Sequence, residues 1–219
     1  MRVNKIQAKT LRHQVYEQLR KKILSAEILP GEQISLRELA EKFGVSLMPV
    51  REALWQLESE HVVVIERNRS MRVNNLSPAE MEAILGIRLA LETMAVQRAC
   101  VLRPDSALPK VERILEEMEA STRVARKYLG KNTQFHFAIY ELSQDPILVE
   151  TIDRFWARIG PYLYLLPHQP DTYAVAMRWH HEMFRSLVNR DKRGCARAVK
   201  GDLESAAEMV KPFLKSEFG

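Results

Sequence analysis

Residues 35–57 read Ser35-Leu36-Arg37-Glu38-Leu39-Ala40-Glu41-Lys42-Phe43-Gly44-Val45-Ser46-Leu47-Met48-Pro49-Val50-Arg51-Glu52-Ala53-Leu54-Trp55-Gln56-Leu57. Two short helices and a tight turn are written in this stretch. Ser35 is an N-cap with Glu38 three residues on, the spacing of a capping box. Leu36, Leu39, Ala40 and Phe43 recur at helical intervals. Gly44 follows, the residue that most readily ends a helix in the left-handed conformation. Ser46 caps the next helix, whose apolar stripe is Val50, Leu54 and Leu57. This is the helix-turn-helix pattern, in which the second helix reads the major groove.

The flanks extend the pattern. Upstream, Val15, Leu19, Ile23 and Leu24 predict a helix over about 11–25, and Pro30-Gly31 breaks the chain. Downstream, Val62-Val63-Val64-Ile65 predicts a strand, Glu66-Arg67-Asn68-Arg69-Ser70 a charged turn and Met71-Arg72-Val73 a return strand. A hairpin placed directly after a recognition helix is a wing, and its cations suit backbone phosphates or the minor groove.

Composition agrees. The 219 residues carry a net charge of +5. Residues 1–75 hold 13 Lys/Arg against 9 Asp/Glu, and residues 76–219 hold 20 against 19, so the basic excess sits in the first third. A local basic excess favours a polyanion through counterion release. No apolar run approaches the roughly 20 residues of a membrane span, and the polar start of the chain lacks the apolar core of a signal peptide. Cys100 and Cys195 form no CxxC pair. Reduced thiols and a cytoplasmic location are expected.

Together these residues resemble the GntR superfamily of bacterial regulators. The match runs through Leu29-Pro30-Gly31, Ser35 to Ala40, Gly44-Val45-Ser46, Pro49 to Leu54 and Leu57, about 45 residues in order. The resemblance implies a double-stranded DNA operator contacted by Arg37, Ser46, Arg51 and the wing residues Arg67, Asn68 and Arg69. A guanidinium fork suits phosphate or guanine. The alternative for Arg51 is an ion pair with Glu38 or Glu52. The sequence departs from the family between Ser46 and Pro49, where Leu47 and Met48 replace the usual Arg-Thr. Neither can hydrogen-bond a base. An operator read partly through apolar contacts to thymine methyls is expected.

Ser77-Pro78 opens a second region, an N-cap with proline at the first helical position. The domain boundary is expected at 75/76: residues 1–75 as the winged helix-turn-helix, residues 76–219 as an effector-binding and dimerisation domain. Helices are predicted over about 78–102, 105–127, 131–143, 146–166, 171–190 and 193–216. The fold class is therefore mainly α, a winged helix-turn-helix with a small β-hairpin followed by an all-α antiparallel bundle.

Three ionisable groups interrupt apolar stripes in this region. His136 lies with Phe135, Ile139 and Leu142, one turn after Asn132. His180 extends the stripe Met183, Phe184 and Leu187. Asp202 interrupts Cys195, Val199, Ala206, Val210 and Phe213. A buried carboxylate needs a partner or a metal. Two imidazoles and a carboxylate suit Zn, Ni, Mn or Fe, and equally a hydrogen-bonded core or a His–Asp ion pair. The segment is similar to the FadR-type branch with its FCD ligand domain, through Arg88-Leu89-Ala90-Leu91-Glu92, Phe135-His136 with Ser143, and His180 with Asp191. That branch often holds a divalent metal on one Asp and three His. Here Asn132 stands at the Asp position and Asp202 at the last His position, so the implied set is Asn132, His136, His180 and Asp202.

The resemblance further implies a small organic acid as effector and a homodimer on a palindromic operator. Arg88 could clamp such an anion, or pair with Glu92 at i,i+4. Arg158, in an aromatic-rich run from Phe155 to Tyr162, is a second anion-clamp candidate. The expected function is a ligand-controlled repressor. A metal-responsive DNA-binding sensor is the alternative. Metal-dependent catalysis is disfavoured, because no nucleophile–base pair is evident.

Overall fold

The computed structural model describes residues 10–66, 70–165 and 170–217. The chain divides into two compact units, Met1–Asn75 and Leu76–Gly219.

In the first unit, helix α1 (Leu11–Leu24) buries Val15, Leu19 and Ile23, one residue per turn of a single face. It packs on α3 (Leu47–Ser59), which buries Val50, Ala53, Leu54 and Leu57. Tyr16 on α1 donates its hydroxyl to Glu60 at 2.9 Å, just past the end of α3. Between them lies α2 (Leu36–Phe43), capped by the Ser35 side chain and closed by Gly44 at φ 65°. The Ser46 hydroxyl, by contrast, makes no capping bond to α3.

The strands are β1 (Gln33–Ile34), β2 (Val63–Ile65) and β3 (Met71–Val73), in the order β1-β3-β2, all antiparallel. Ile34 and Ile65 flank Met71 in register. Met71 and Val73 are buried while Arg72 points outward, the alternation that fixes a strand's faces. The expected hairpin is present with β2 one residue shorter, and β1 is an addition. Two residues are too few to show alternation in a sequence.

In the second unit the helices are α4 (Pro78–Leu102), α5 (Leu108–Glu119), α6 (Ala125–Tyr140), α7 (Pro146–Leu165), α8 (Pro170–Val188) and α9 (Lys192–Glu217), with short 3₁₀ turns at Asp105–Ala107 and Glu141–Ser143. Helix α4 is central and packs against α9, α7, α6 and α8. Ser77 and Glu80 form a reciprocal capping box at its start. At the other end the buried Arg103 donates to the carbonyls of Leu187 and Val188, both at 2.8 Å, satisfying the last turn of α8.

Two expected boundaries move. The helix predicted over 105–127 stops at Glu119, and the next begins at Ala125 rather than 131. Ser121 donates to the Glu117 carbonyl at 2.5 Å and Thr122 to that of Glu119 at 3.1 Å. Such side-chain bonds compete with helix continuation. Gly130 is internal to α6, its helix cost of about 1 kcal/mol offset by burial of Tyr128 and Leu129 on the same helix.

Ser77→Ala removes the hydroxyl half of the capping box and leaves the backbone N–H bond to Glu80. It is expected to destabilise the second unit by about 1 kcal/mol, a thermal midpoint lower by about 3 °C in calorimetry. An unchanged midpoint contradicts this reading of the α4 start.

Candidate functional site

The exposed side of α3 presents Leu47, Met48, Arg51 and Trp55. Residues 48, 51 and 55 share one face by helical spacing. Among the described residues, neither Arg51 nor Arg37 at the start of α2 makes an ion pair or side-chain hydrogen bond, and both are exposed. The pairing of Arg51 with Glu38 or Glu52 does not form. Leu47 and Met48 are 42% and 56% exposed, a large apolar area to leave in water at the first turn of a recognition helix. Arg67, Asn68 and Arg69 lie outside the described residues.

In the second unit Arg88, Glu92, His136, His180 and Asp202 are all buried. Helices α6, α8 and α9 bring the last three together. His136 Nε2 stands 3.2 Å from His180 Nε2 and 3.3 Å from Asp202 Oδ2, and His180 Nε2 stands 3.3 Å from Asp202 Oδ1. Asn132, one turn before His136, lines a cavity of about 60 Å³ together with Arg88, Tyr128, Trp156, Tyr173 and Asp202. This space takes an ion and a few waters, and is well under the roughly 300–1,000 Å³ of a drug-sized ligand pocket. A larger groove of about 490 Å³ lies at Phe137, Glu141, Asp145 and Val149. It is open and rimmed by carboxylates, and none of the buried polar groups reaches it.

A hydrogen-bonded chain sets the protons of this cluster. Glu92 Oε1 accepts from Arg88 Nε at 2.6 Å and from Trp156 Nε1 at 3.1 Å. Tyr140 has one proton and donates it to the other Glu92 oxygen in a short bond. Burial, reinforced by the Glu92 carboxylate, pushes the Tyr140 hydroxyl well above its ordinary range and keeps that proton in place. Tyr140 can then only accept from His136 Nδ1, 2.9 Å away. His136 Nδ1 is thereby committed to Tyr140, and Nε2 is the atom turned towards Asp202 and His180.

His180 differs. Its Nδ1 is buried without a partner, so its proton sits on Nε2, bonded to Asp202 or His136. Burial holds His180 below its ordinary value despite the neighbouring carboxylate. Burial pushes Asp202 up, but the His180 and His136 imidazoles outweigh it and the net direction is down. The His136 and His180 Nε2 atoms and the Asp202 carboxylate thus stand within 3.3 Å of one another, and a divalent cation would take the place of the protons that bridge them.

The triangle fits one. Three ligand atoms about 2.1 Å from a divalent ion, with angles between octahedral and tetrahedral, stand about 3.2 Å apart. The observed edges are 3.2, 3.3 and 3.3 Å. The orphaned His180 Nδ1 is the one poor feature, because metal-bound histidines usually donate their second N–H to an acceptor.

The structure thus brings His136, His180 and Asp202 together, and Asp202 also lines one cavity with Asn132 and Arg88. It does not bring Arg158, whose guanidinium pairs with Glu80 at 3.2 Å beside the α4 cap. Arg88 shows its pairing with Glu92 through Nε only. Its terminal nitrogens have no ion pair or hydrogen bond among the described residues, and its guanidinium lies 4.8 Å from the Trp156 ring centre. Sequence reasoning missed Tyr140 as the bridge between Glu92 and His136. The signal was present as a Tyr four residues after a His on the same stripe.

Two exposed, unpaired arginines on a winged helix-turn-helix, together with a separate helical unit that holds a small cavity, are the features of a transcription regulator. Residues 11–73 match the family described as bacterial regulatory proteins, gntR family, and residues 83–205, more than half of the chain, match the FCD domain. The chain belongs to the gntR family and carries an FCD domain. It is 30% identical over 186 residues to the HTH-type transcriptional regulator McbR of Escherichia coli K12, covering 83% of this chain and 84% of that one. It is 27% identical to the HTH-type transcriptional repressor RspR of the same strain, covering 90% and 88%. The solved structure of E. coli McbR/YncC superposes with a TM-score of 0.87 at 27% identity, covering 94% of this chain and 99% of that one.

The buried cluster makes stability depend on pH. Unfolded, His180 takes up a proton near pH 6.5, whereas folded it does so only at lower pH. The unfolded chain binds more protons in that window, so stability falls as pH drops below about 6.5. Asp202, held down in the fold, adds a further loss below about pH 4. In chelator-treated protein the urea midpoint is expected to fall between pH 7 and pH 5, and a His180→Asn variant to lose that slope. A flat wild-type midpoint over this interval contradicts the assignment.

Proposed function

We propose that this protein is a cytoplasmic, homodimeric repressor whose operator affinity is set by a small ligand in the FCD cavity. The observation that carries the reading is the convergence of His136, His180 and Asp202 on one point. In this reading His136, His180 and Asp202 hold a divalent ion, with Asn132 as a weaker fourth ligand. When bound, the ion acts as a Lewis acid that anchors a carboxylate oxygen. Arg88 supplies the other half of the grip: Glu92 fixes its Nε, and the two terminal nitrogens remain to take a carboxylate side-on. Tyr128 lines the same cavity, and its buried hydroxyl lacks a partner. It hydrogen-bonds the ligand or the water that precedes it. Repression is supported by the names of relatives, RspR and the gluconate operon transcriptional repressor of Bacillus licheniformis.

On DNA, Arg37 and Arg51 take phosphate or guanine, Ser46 a phosphate at the start of α3, and Leu47 and Met48 thymine methyls. The wing residues Arg67, Asn68 and Arg69 reach the adjacent groove. Dimeric binding places two recognition helices on a palindrome. A second reading, a sensor for which the metal itself is the effector, is favoured by the cavity size of about 60 Å³, which suits an ion better than an organic acid.

Selection from randomised duplex DNA, followed by gel shifts with chelator and a panel of small carboxylates, tests both parts. The expected result is a palindromic site whose half-sites differ from those selected by a Leu47→Arg/Met48→Thr double variant, with affinity changed by an acid in the metal-loaded protein. A response to chelator alone selects the sensor reading. No selected site contradicts the DNA reading, and affinity indifferent to metal and acids contradicts control through the cavity.

A further inference from the structure

Helices α1 and α3 run in the same direction. Arg12 on α1 donates to Gln56 on α3 at 3.3 Å, and one turn further along each helix Tyr16 donates to Glu60 at 2.9 Å. The start of α1 therefore stands level with residues 55 and 56, about two turns above the start of α3. Two side chains are exposed at that level. Trp55 is 52% exposed, and its indole N–H has no hydrogen-bond partner among the described residues. Arg12 is exposed, spends one terminal nitrogen on the neutral Gln56, and has no carboxylate partner among the described residues. Their depth separates them from Leu47 and Met48. A recognition helix meets base edges with its N-terminal residues. Trp55 lies on the same face as Met48 and seven residues on, about 10 Å along the axis at about 1.5 Å per residue. The major groove is about 8.5 Å deep. With Met48 at the base edges, Trp55 and Arg12 stand at the sugar–phosphate rim.

We propose that Trp55 and Arg12 form a clamp on the DNA backbone. The indole N–H and the free guanidinium nitrogens of Arg12 take phosphate oxygens of one strand, and the indole ring covers the adjacent deoxyribose. The proposal rests on the reading of α3 as the recognition helix and specifies what holds it in the groove. The residue types fit the task. A guanidinium takes a phosphate through two parallel N–H bonds. An indole offers one N–H donor on a large rigid ring, with an apolar body and one polar edge. Contacts to phosphate carry no sequence information and instead fix the register and orientation of the protein on the duplex. This chain needs such contacts more than one with Arg-Thr at positions 47 and 48. Leu47 and Met48 touch thymine methyls without a directional bond, so the register of α3 must be fixed elsewhere. The clamp fixes it at the point where the helix leaves the groove, on the α1 side.

Anisotropy titrations of the full chain test this, with a fluorescent random-sequence duplex and the duplex recovered by selection, each at several salt concentrations. Trp55→Phe keeps a ring and loses the N–H donor. It is expected to weaken binding to both duplexes about tenfold, with the salt slope unchanged because the lost donor is uncharged. Arg12→Ala is expected to lower the slope of log affinity against log salt by about 0.9, one phosphate's share. Both positions are exposed, and both variants are expected to keep the wild-type helical circular dichroism. Wild-type affinity in Trp55→Phe, or a wild-type slope in Arg12→Ala, overturns the clamp. A loss in Trp55→Phe confined to the selected duplex overturns the phosphate assignment and makes Trp55 a base reader. In each of these cases binding by the wild type leaves the DNA reading standing. A wild type that binds neither duplex overturns the DNA reading and the clamp together.

Discussion

Glu92 is fully buried, and a carboxylate there keeps its charge only if the protein supplies the donors that water would have given. Arg88, Trp156 and Tyr140 supply three. Much of the second unit's polar interior follows from that requirement. Tyr140 donates its only proton to Glu92, so it must accept from His136 Nδ1, which leaves His136 Nε2 facing Asp202 and His180. On the other side Arg88 is held by one nitrogen and keeps two for the cavity. One buried acid thus orders both the edge of the cavity that suits a cation and the edge that suits an anion. Removing a member of such a network leaves its neighbours unsatisfied, which costs more than the lost bond itself.

The two units are specified differently. In the first, local signals suffice. Ser35, Gly44 and the stripe Val50, Leu54 and Leu57 dictate two helices and the turn between them, and the structure places each where the spacing puts it. Strand β1 was illegible because two residues carry no period, and its existence depends on the edge that β3 offers. In the second unit the periodicity located every helix, but not every boundary. Gly130 looked like a break and is not, since burying Tyr128 and Leu129 outweighs its propensity. Ser121 and Thr122 looked tolerable within a helix and instead end it by taking its last carbonyls.

The candidate site was legible to a similar depth. A His or Asp that interrupts an apolar stripe announces that something polar lies inside, and His136, His180 and Asp202 do converge. What spacing cannot show is which groups on different helices complete each other. Arg88 and Arg158 looked equivalent as anion clamps, yet one lines the cavity and the other pairs with Glu80. Nor can spacing show where the protons are. That depends on the Glu92–Tyr140–His136 chain, whose members lie on α4 and α6 and are 48 and 4 residues apart in sequence.

The central claim is that this chain presets His136 to hold an ion together with His180 and Asp202. Zinc affinity by chelator competition, in the wild type and in Tyr140→Phe, tests it most directly, because the variant keeps the ring and loses only the hydroxyl that fixes the tautomer. The account predicts near-stoichiometric binding in the wild type, and binding about 10–100-fold weaker in the variant with unchanged helical circular dichroism. No binding by the wild type, or equal affinity in the two proteins, would contradict it.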